Sequence, residues 1–384
     1  MMIAAAVMAF SLLGRGCGCD GDFPRHLGNG VTYLLEGRVP GNWPPFPIMD
    51  LLHGSLAILA GYPGPWWQPI LNCFSFLCSI CSFFLFRAIL KNYQQEGLEG
   101  SLFPVVALMV VHPIYVVASG VTGDYMVSLT LLLSAWLSVL KKDFTVGSVL
   151  MGLAVGTRIS NCLWILPLSI LAKRRDGTRA ALGFAFSSAV VGGLAIFPSL
   201  AKIGFKIGMN SGGRGSEAQS LLGTFKSSLS KILGFVGLPT LLITLAVCRK
   251  PSYKKSLAII KRYPELVGVL LLELAVFCYL PSDPGYIIST LPIIAILLPK
   301  PDKRSWICAQ VVSVFAMNVV VFDFQNKIPT KFHLSHGYFT GEFTCHATDT
   351  VLEPLRFSVP RRPDGGYYSP ISDWTADARP KNRR

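Results

Sequence analysis

The chain has 384 residues, of which 51% are apolar and only 15% charged, with a formal net charge of +14. A soluble domain carries roughly 25% charged residues, so this composition excludes an ordinary water-soluble globule and calls for a lipid solvent. The basic residues also exclude a nucleic-acid surface, because they fall in short clusters between apolar runs and not on one face with interleaved aromatics.

Residues 1–13 are apolar but short and lack a basic leading region. They read as a first helix, a signal-like segment or the remnant of a longer start, and the first two deliver the next loop to the non-cytoplasmic side. That loop, 14–45, is polar and glycine-rich. It runs Cys19-Asp20-Gly21-Asp22-Phe23-Pro24-Arg25-His26, passes Gly37 and reaches Pro44-Pro45-Phe46-Pro47. Locally, Asp20-Gly21-Asp22 reads as a turn, since Asp and Gly favour turns. Two carboxylates at the mouth of a bundle can equally supply a general base to an incoming hydroxyl or amine.

Segment 48–60, followed by Trp66-Trp67, reads as a helix lying on the outer surface. The reason is charge: a span over 70–90 that descends from outside ends at Arg87 and Lys91, as a cytoplasmic end requires. From there the spans alternate. Residues 103–119 go out, and 125–140 return to Lys141-Lys142. Residues 144–171 begin and end beside basic clusters, which predicts a hairpin of two short helices with Gly156-Thr157-Arg158-Ile159-Ser160 at its tip. Residues 183–197 go out, 232–248 in, 266–280 out, 286–298 in and 307–322 out.

The expected fold is therefore an all-α polytopic membrane protein, with about 11 transmembrane helices in residues 1–322 and a surface helix in the first outer loop. Residues 323–384 form a polar C-terminal tail or small annex outside the membrane.

Several other residues invite a role. Loop 199–230 is placed outside yet carries Lys202, Lys206, Arg214 and Lys226 against Glu217 alone, which breaks the charge rule or serves an anion. Arg158 reads as an interfacial arginine or as a phosphate ligand, and Arg214, among Gly212, Gly213 and Gly215, as a solvated loop charge or a phosphate ligand. Asp124 caps its helix or borders the site, and Tyr286 belongs to the interfacial belt or touches substrate. His333, His336, Cys345 and His346 match no metal-site spacing, so no metal is assigned to them.

This order of features resembles the GT-C superfamily of membrane glycosyltransferases, near the branch of protein O-mannosyltransferases, aminoarabinose transferases and rhizobial lipopolysaccharide glycosyltransferases. Asp22, Arg25, His26, Gly37 and Pro44-Pro45-Phe46-Pro47 are similar to that branch's acid, aromatic-or-basic residue and short helix, glycine, and Pro-rich entry to a surface helix. His112-Pro113, Ser119-Gly120 and Asp124 resemble its third and fourth helices, and Gly156-Thr157-Arg158 with Pro167 its Gly-rich hairpin. Pro284-Gly285-Tyr286 with Leu291-Pro292 resembles a late helix start. Gly285 stands where relatives carry Arg or His, and Phe23 where many hold a second acid.

The resemblance implies transfer of a sugar from a polyprenyl-phosphate donor to a lipid, glycan or protein acceptor on the non-cytoplasmic face. It implies Asp22 as the catalytic base, with Asp20, Arg25, His26, Asp124 and Tyr286 around the substrates and Arg158 and Arg214 on the donor phosphate. Expected partners are that donor and membrane lipids, with no nucleic acid, in a multi-pass protein of a bacterial inner membrane ahead of an endoplasmic reticulum. No cofactor is assigned; a divalent cation stays open, because loop acids can serve as base or as ligand. The alternative from the residues is a multi-span transporter or flippase of a lipid-linked or polar substrate, which calls for internal repeats and broken mid-membrane helices.

Overall fold

The structure, a computed structural model, describes residues 22–37, 46–62, 66–96, 109, 115, 118–119, 123–203, 257–258, 260–279, 288–297, 320–322 and 332–334. Its helices are α1 (Asp22–Glu36), α2 (Pro47–Leu59), α3 (Trp67–Gln95), α4 (Tyr125–Leu140), α5 (Phe144–Thr157), α6 (Ile165–Ile203), α7 (Pro264–Tyr279) and α8 (Thr290–Leu297), with a 3-10 turn over Ile159–Trp164. A two-stranded antiparallel ladder joins β1 (Val320–Phe322) to β2 (Phe332–Leu334). The last three residues of the expected span 307–322 thus stand in a strand. Their run of two valines and a phenylalanine suits a strand as well as a helix end.

Local chemistry sets the helix ends. Helix α1 stops at Gly37, whose positive φ of 62° closes the last turn. Helix α2 starts with Pro47 in its first turn, where the missing N–H costs nothing, and ends before Gly61 at φ 78°. A three-residue link turns α4 back into α5, with Lys142 in the left-handed region and Asp143 capping α5 by accepting from the Val146 amide at 3.2 Å.

Side-chain register gives the relative directions. Thr130 meets Cys78 and Ser82, and Trp136 meets Tyr93, so α3 and α4 run in the same sense. A Cβ on Gly147 would touch Ser138, Val139 and the Ala135 carbonyl, as an α4–α5 hairpin requires. Helix α6 is broken at Asp176-Gly177, where Gly177 has φ 86°. Its first arm, 165–175, opposes α7, because Trp164 bonds Glu273 while Arg174 bonds Glu265. Its second arm runs with α5: Gly152 faces Val191 and Gly192, and Gly156 faces Ala195. These senses are the ones that the expected alternation of spans demands.

Two helices are long and apolar enough to cross a membrane, Pro69–Gln95 and Ile159–Pro198, and the Asp176-Gly177 break makes two arms of the second. Exposed Leu166, Leu182, Phe186, Leu194 and Leu271 fit a lipid-facing surface. One end of the bundle gathers charge: Arg174 pairs with Glu265 at 2.6 Å, while Arg175 bonds the Glu96 carboxylate and Arg262 the Glu96 carbonyl. From that end an aromatic column runs inward through Tyr263, Tyr93, Trp136 and Trp164, with ring centroids 4.8, 5.9 and 5.8 Å apart.

At the other end α1 lies across α2 with almost nothing between them. A Cβ on Gly30 would sit 1.8 Å from the Asp50 carbonyl oxygen and 2.8 Å from the Gly54 nitrogen, and a Cβ on Gly54 2.4 Å from the Gly30 carbonyl carbon. Leu27, Val31, Ala57, Trp67 and Leu71 fill the rest of this junction. Gly30→Ala is therefore expected to destabilise the protein by at least about 1–3 kcal/mol through overpacking. Thermal denaturation in detergent checks it, and an unchanged midpoint would refute so close a crossing.

Candidate functional site

Of the expected site residues, the structure describes the side chains of His26, Asp124 and Arg158, all at the end of the bundle opposite the Arg174–Glu265 pair. Asp22 opens α1, and Arg25 lies in its first turn; their backbone is described and their side chains are not. Asp20, Arg214 and Tyr286 lie outside the described residues.

Asp124 and Arg158 come together. The Asp124 side chain makes no cap bond to α4 and instead holds Arg158 Nε at 3.1 Å, with both side chains 6% exposed. The Arg158 guanidinium carbon also lies 4.5 Å from the centre of the Tyr125 ring. Asp124 stands at the N-cap position of α4, as a helix-start acid would, but its carboxylate is engaged by Arg158 and makes no hydrogen bond to the helix amides. Arg158 is not an interfacial arginine reaching for water either, because it is buried. A buried ion pair is costly to desolvate and holds only with close geometry, which the stacked, paired guanidinium has.

The hairpin tip is built to present this arginine. Helix α5 ends at Thr157, and Arg158 is extended at φ −151° and ψ 121°. Asn161 closes the tip by donating to the Ser128 hydroxyl at 2.8 Å and to the Ala154 carbonyl at 2.6 Å. Behind it, Glu273 of α7 accepts from the Trp164 indole at 2.8 Å and from Ser289 at 3.1 Å, within reach of the Arg158 charge.

Helix α2 connects this tip to α1. A Cβ on Gly156 would fall 2.5 Å from Cγ1 of Ile48, so α2 rests on the hairpin two residues before Arg158. Beneath it, His26 Nδ1 lies 2.5 Å from Asp50 Oδ1, and Asn29 donates to Asp50 Oδ2 at 3.2 Å. The rings of Phe46 and His53 meet His26 edge-on, with centroids at 5.1 and 6.1 Å. Burial, and secondarily the electrostatic interaction with His26, hold the His53 imidazole well below its ordinary value. His26, Asn29 and Asp50 thus form a hydrogen-bonded cluster; among the described residues no three His, Cys, Asp or Glu side chains gather closely enough to hold a metal ion.

Asp50 and His53 lie within α2, on its buried face. Glu273 and Asn161 escaped the sequence reading. A lone acid inside the apolar run 266–280 was the available signal, because such a group is costly in lipid unless used.

The fold is similar to two crystal structures of ArnT from Cupriavidus metallidurans. Against the apo form the TM-score is 0.53 at 15% sequence identity, covering 81% of this chain and 61% of that one. Against the form bound to undecaprenyl phosphate it is 0.53 at 14%, covering 78% and 58%. The chain thus spans about three fifths of the ArnT length. At this identity the likeness is one of fold alone. No protein-family model and no curated protein sequence matches the chain.

Proposed function

We infer that the protein is a membrane glycosyltransferase that moves a sugar from a polyprenyl-phosphate donor to an acceptor hydroxyl or amine at the non-cytoplasmic face. The observation that carries this reading is the buried Arg158, stacked on Tyr125 and paired with Asp124 at a hairpin tip. It stands in a fold similar to ArnT, one structure of which holds undecaprenyl phosphate.

In this reading Asp22 removes the acceptor proton as the acceptor attacks the anomeric carbon from the face opposite the phosphate, which inverts that carbon. The sugar–phosphate bond breaks with its electron pair going to the lipid phosphate. A guanidinium suits the charge that develops there, because its fork pairs with two phosphate oxygens and it stays ionised. Arg158 supplies one such fork and Arg214, from loop 199–230, a second. Asp124 holds the Arg158 fork in place and borders the substrate with Asp20, Arg25, His26 and Tyr286.

The test is transfer by the purified full chain in liposomes supplied with a panel of polyprenyl-phosphate sugars, with undecaprenyl phosphate as competitor. Sugar transfer that the competitor suppresses is expected. Absence of both transfer and lipid-phosphate binding across the panel would overturn the reading.

A further inference from the structure

The polar cluster of His26, Asn29 and Asp50 is buried between α1 and α2, and packing does not call for it. The Gly30–Gly54 crossing and the apolar group around Leu27, Val31 and Ala57 already join the two helices. Burying an imidazole against a carboxylate there is costly compared with burying two apolar side chains. The geometry is specific in a further way. A carboxylate at Nδ1 places the proton on that nitrogen, so the basic lone pair of the neutral ring is at Nε2, on the far side from Asp50. Asn29 donates to the other carboxylate oxygen, which favours the ionised form of Asp50. His26 follows Asp22 by four residues on α1, so the two positions share one helix face, about 6 Å apart along the axis.

We propose that His26, oriented and made basic by Asp50, receives the proton that Asp22 takes from the acceptor. This rests on the reading of Asp22 as the general base. The acceptor X–H bond breaks and an X–C bond forms at the sugar. The sugar–oxygen bond to phosphate breaks with its electron pair on the leaving phosphate, and the proton passes through the Asp22 carboxylate to His26 Nε2. The relay returns Asp22 to its ionised form within the turnover. Because His26 acts through Asp22, it and Asp50 are positioning residues. Among the described residues, the titratable groups facing His26 are Asp50 and His53, both on α2. Helix α3 meets this junction with Trp67 and Leu71, and α5 meets α2 with Gly156, so neither adds a charge. On its own helix, Asp22 and Arg25 precede it.

The experiment measures kcat and donor KM against pH for the full-length protein in liposomes, as wild type, Asp50→Asn, Asp50→Glu and His26→Gln. Asp50→Asn keeps a hydrogen-bonding partner but removes the counter-ion of the imidazolium. It is expected to lower kcat at least about 10-fold with donor KM little changed, and to move the acidic limb of the profile down by about 1–3 pH units. Asp50→Glu is expected to restore the limb, and His26→Gln to leave a limb in the carboxylate range. A wild-type limb position in both Asp50→Asn and His26→Gln, with only the height of the profile changed, would reduce the pair to structural glue and overturn the proposal. Failure of the underlying reading looks different, because wild type itself would then transfer no sugar.

Discussion

Asp22→Asn is expected to lower sugar transfer by about 10²–10⁴-fold, the range a positioned general base supplies, while donor binding stays near wild type. Asn is close in size and keeps hydrogen-bonding capacity at the first position of α1, so the helix start is retained while the basic oxygen is lost. In the proposed mechanism the donor phosphate is held by Arg158, on a different element. Parallel measurement of turnover and of undecaprenyl-phosphate binding in liposomes separates the two, with Asp22→Ala as a second variant and Asp20→Asn as the neighbouring control. Normal turnover in both Asp22 variants would remove this residue from the chemistry. Loss in Asp20→Asn alone would move the base two residues upstream.

Arg158→Gln is expected to do two kinds of damage. It leaves Asp124 buried beside a neutral amide, and removing one partner of a buried ion pair costs about 3–5 kcal/mol. The Asn161 clasp and the Trp164–Glu273 bond hold the tip from either side, so the backbone has little freedom to expose Asp124 to water. In the proposed mechanism it also removes a guanidinium from the leaving phosphate, which is expected to lower turnover by about 10²–10³-fold, as loss of one oxyanion donor does elsewhere. The double variant Arg158→Gln/Asp124→Asn separates the two effects. Stability measured by denaturation in detergent is expected to recover in part, because no charge is stranded, whereas turnover is not. A double variant that is both stable and active would leave Arg158 a purely structural role.

Much of this arrangement was legible in the sequence wherever a residue type forces the backbone. Segment 48–60 was expected as a helix and appears as Pro47–Leu59, because Pro47 starts it and Gly61 ends it. The hairpin with Arg158 at its tip followed from basic clusters at both of its feet. The pairing of His26 with Asp50 was not legible. It joins positions 24 residues apart through a crossing that depends on Gly30, read as a loop residue, and Gly54, inside the expected surface helix, and nothing in a single sequence marks the two glycines as partners. Glu273 was hidden for a different reason. One acid barely changes the hydropathy of a long apolar run, and its partners Trp164 and Ser289 come from elements far apart in the chain.

The crossing of α1 and α2 has a mechanical side. Where side chains separate two helices, they can shift rotamer and absorb a relative movement. Between Gly30 and Gly54 the contact is backbone on backbone, so a tilt of α2 is handed to α1 with little loss. Under the proposed function, the pair of glycines would make α1 and α2 a lever, and a tilt of α2 at the membrane surface would carry over to the helix that bears Asp22.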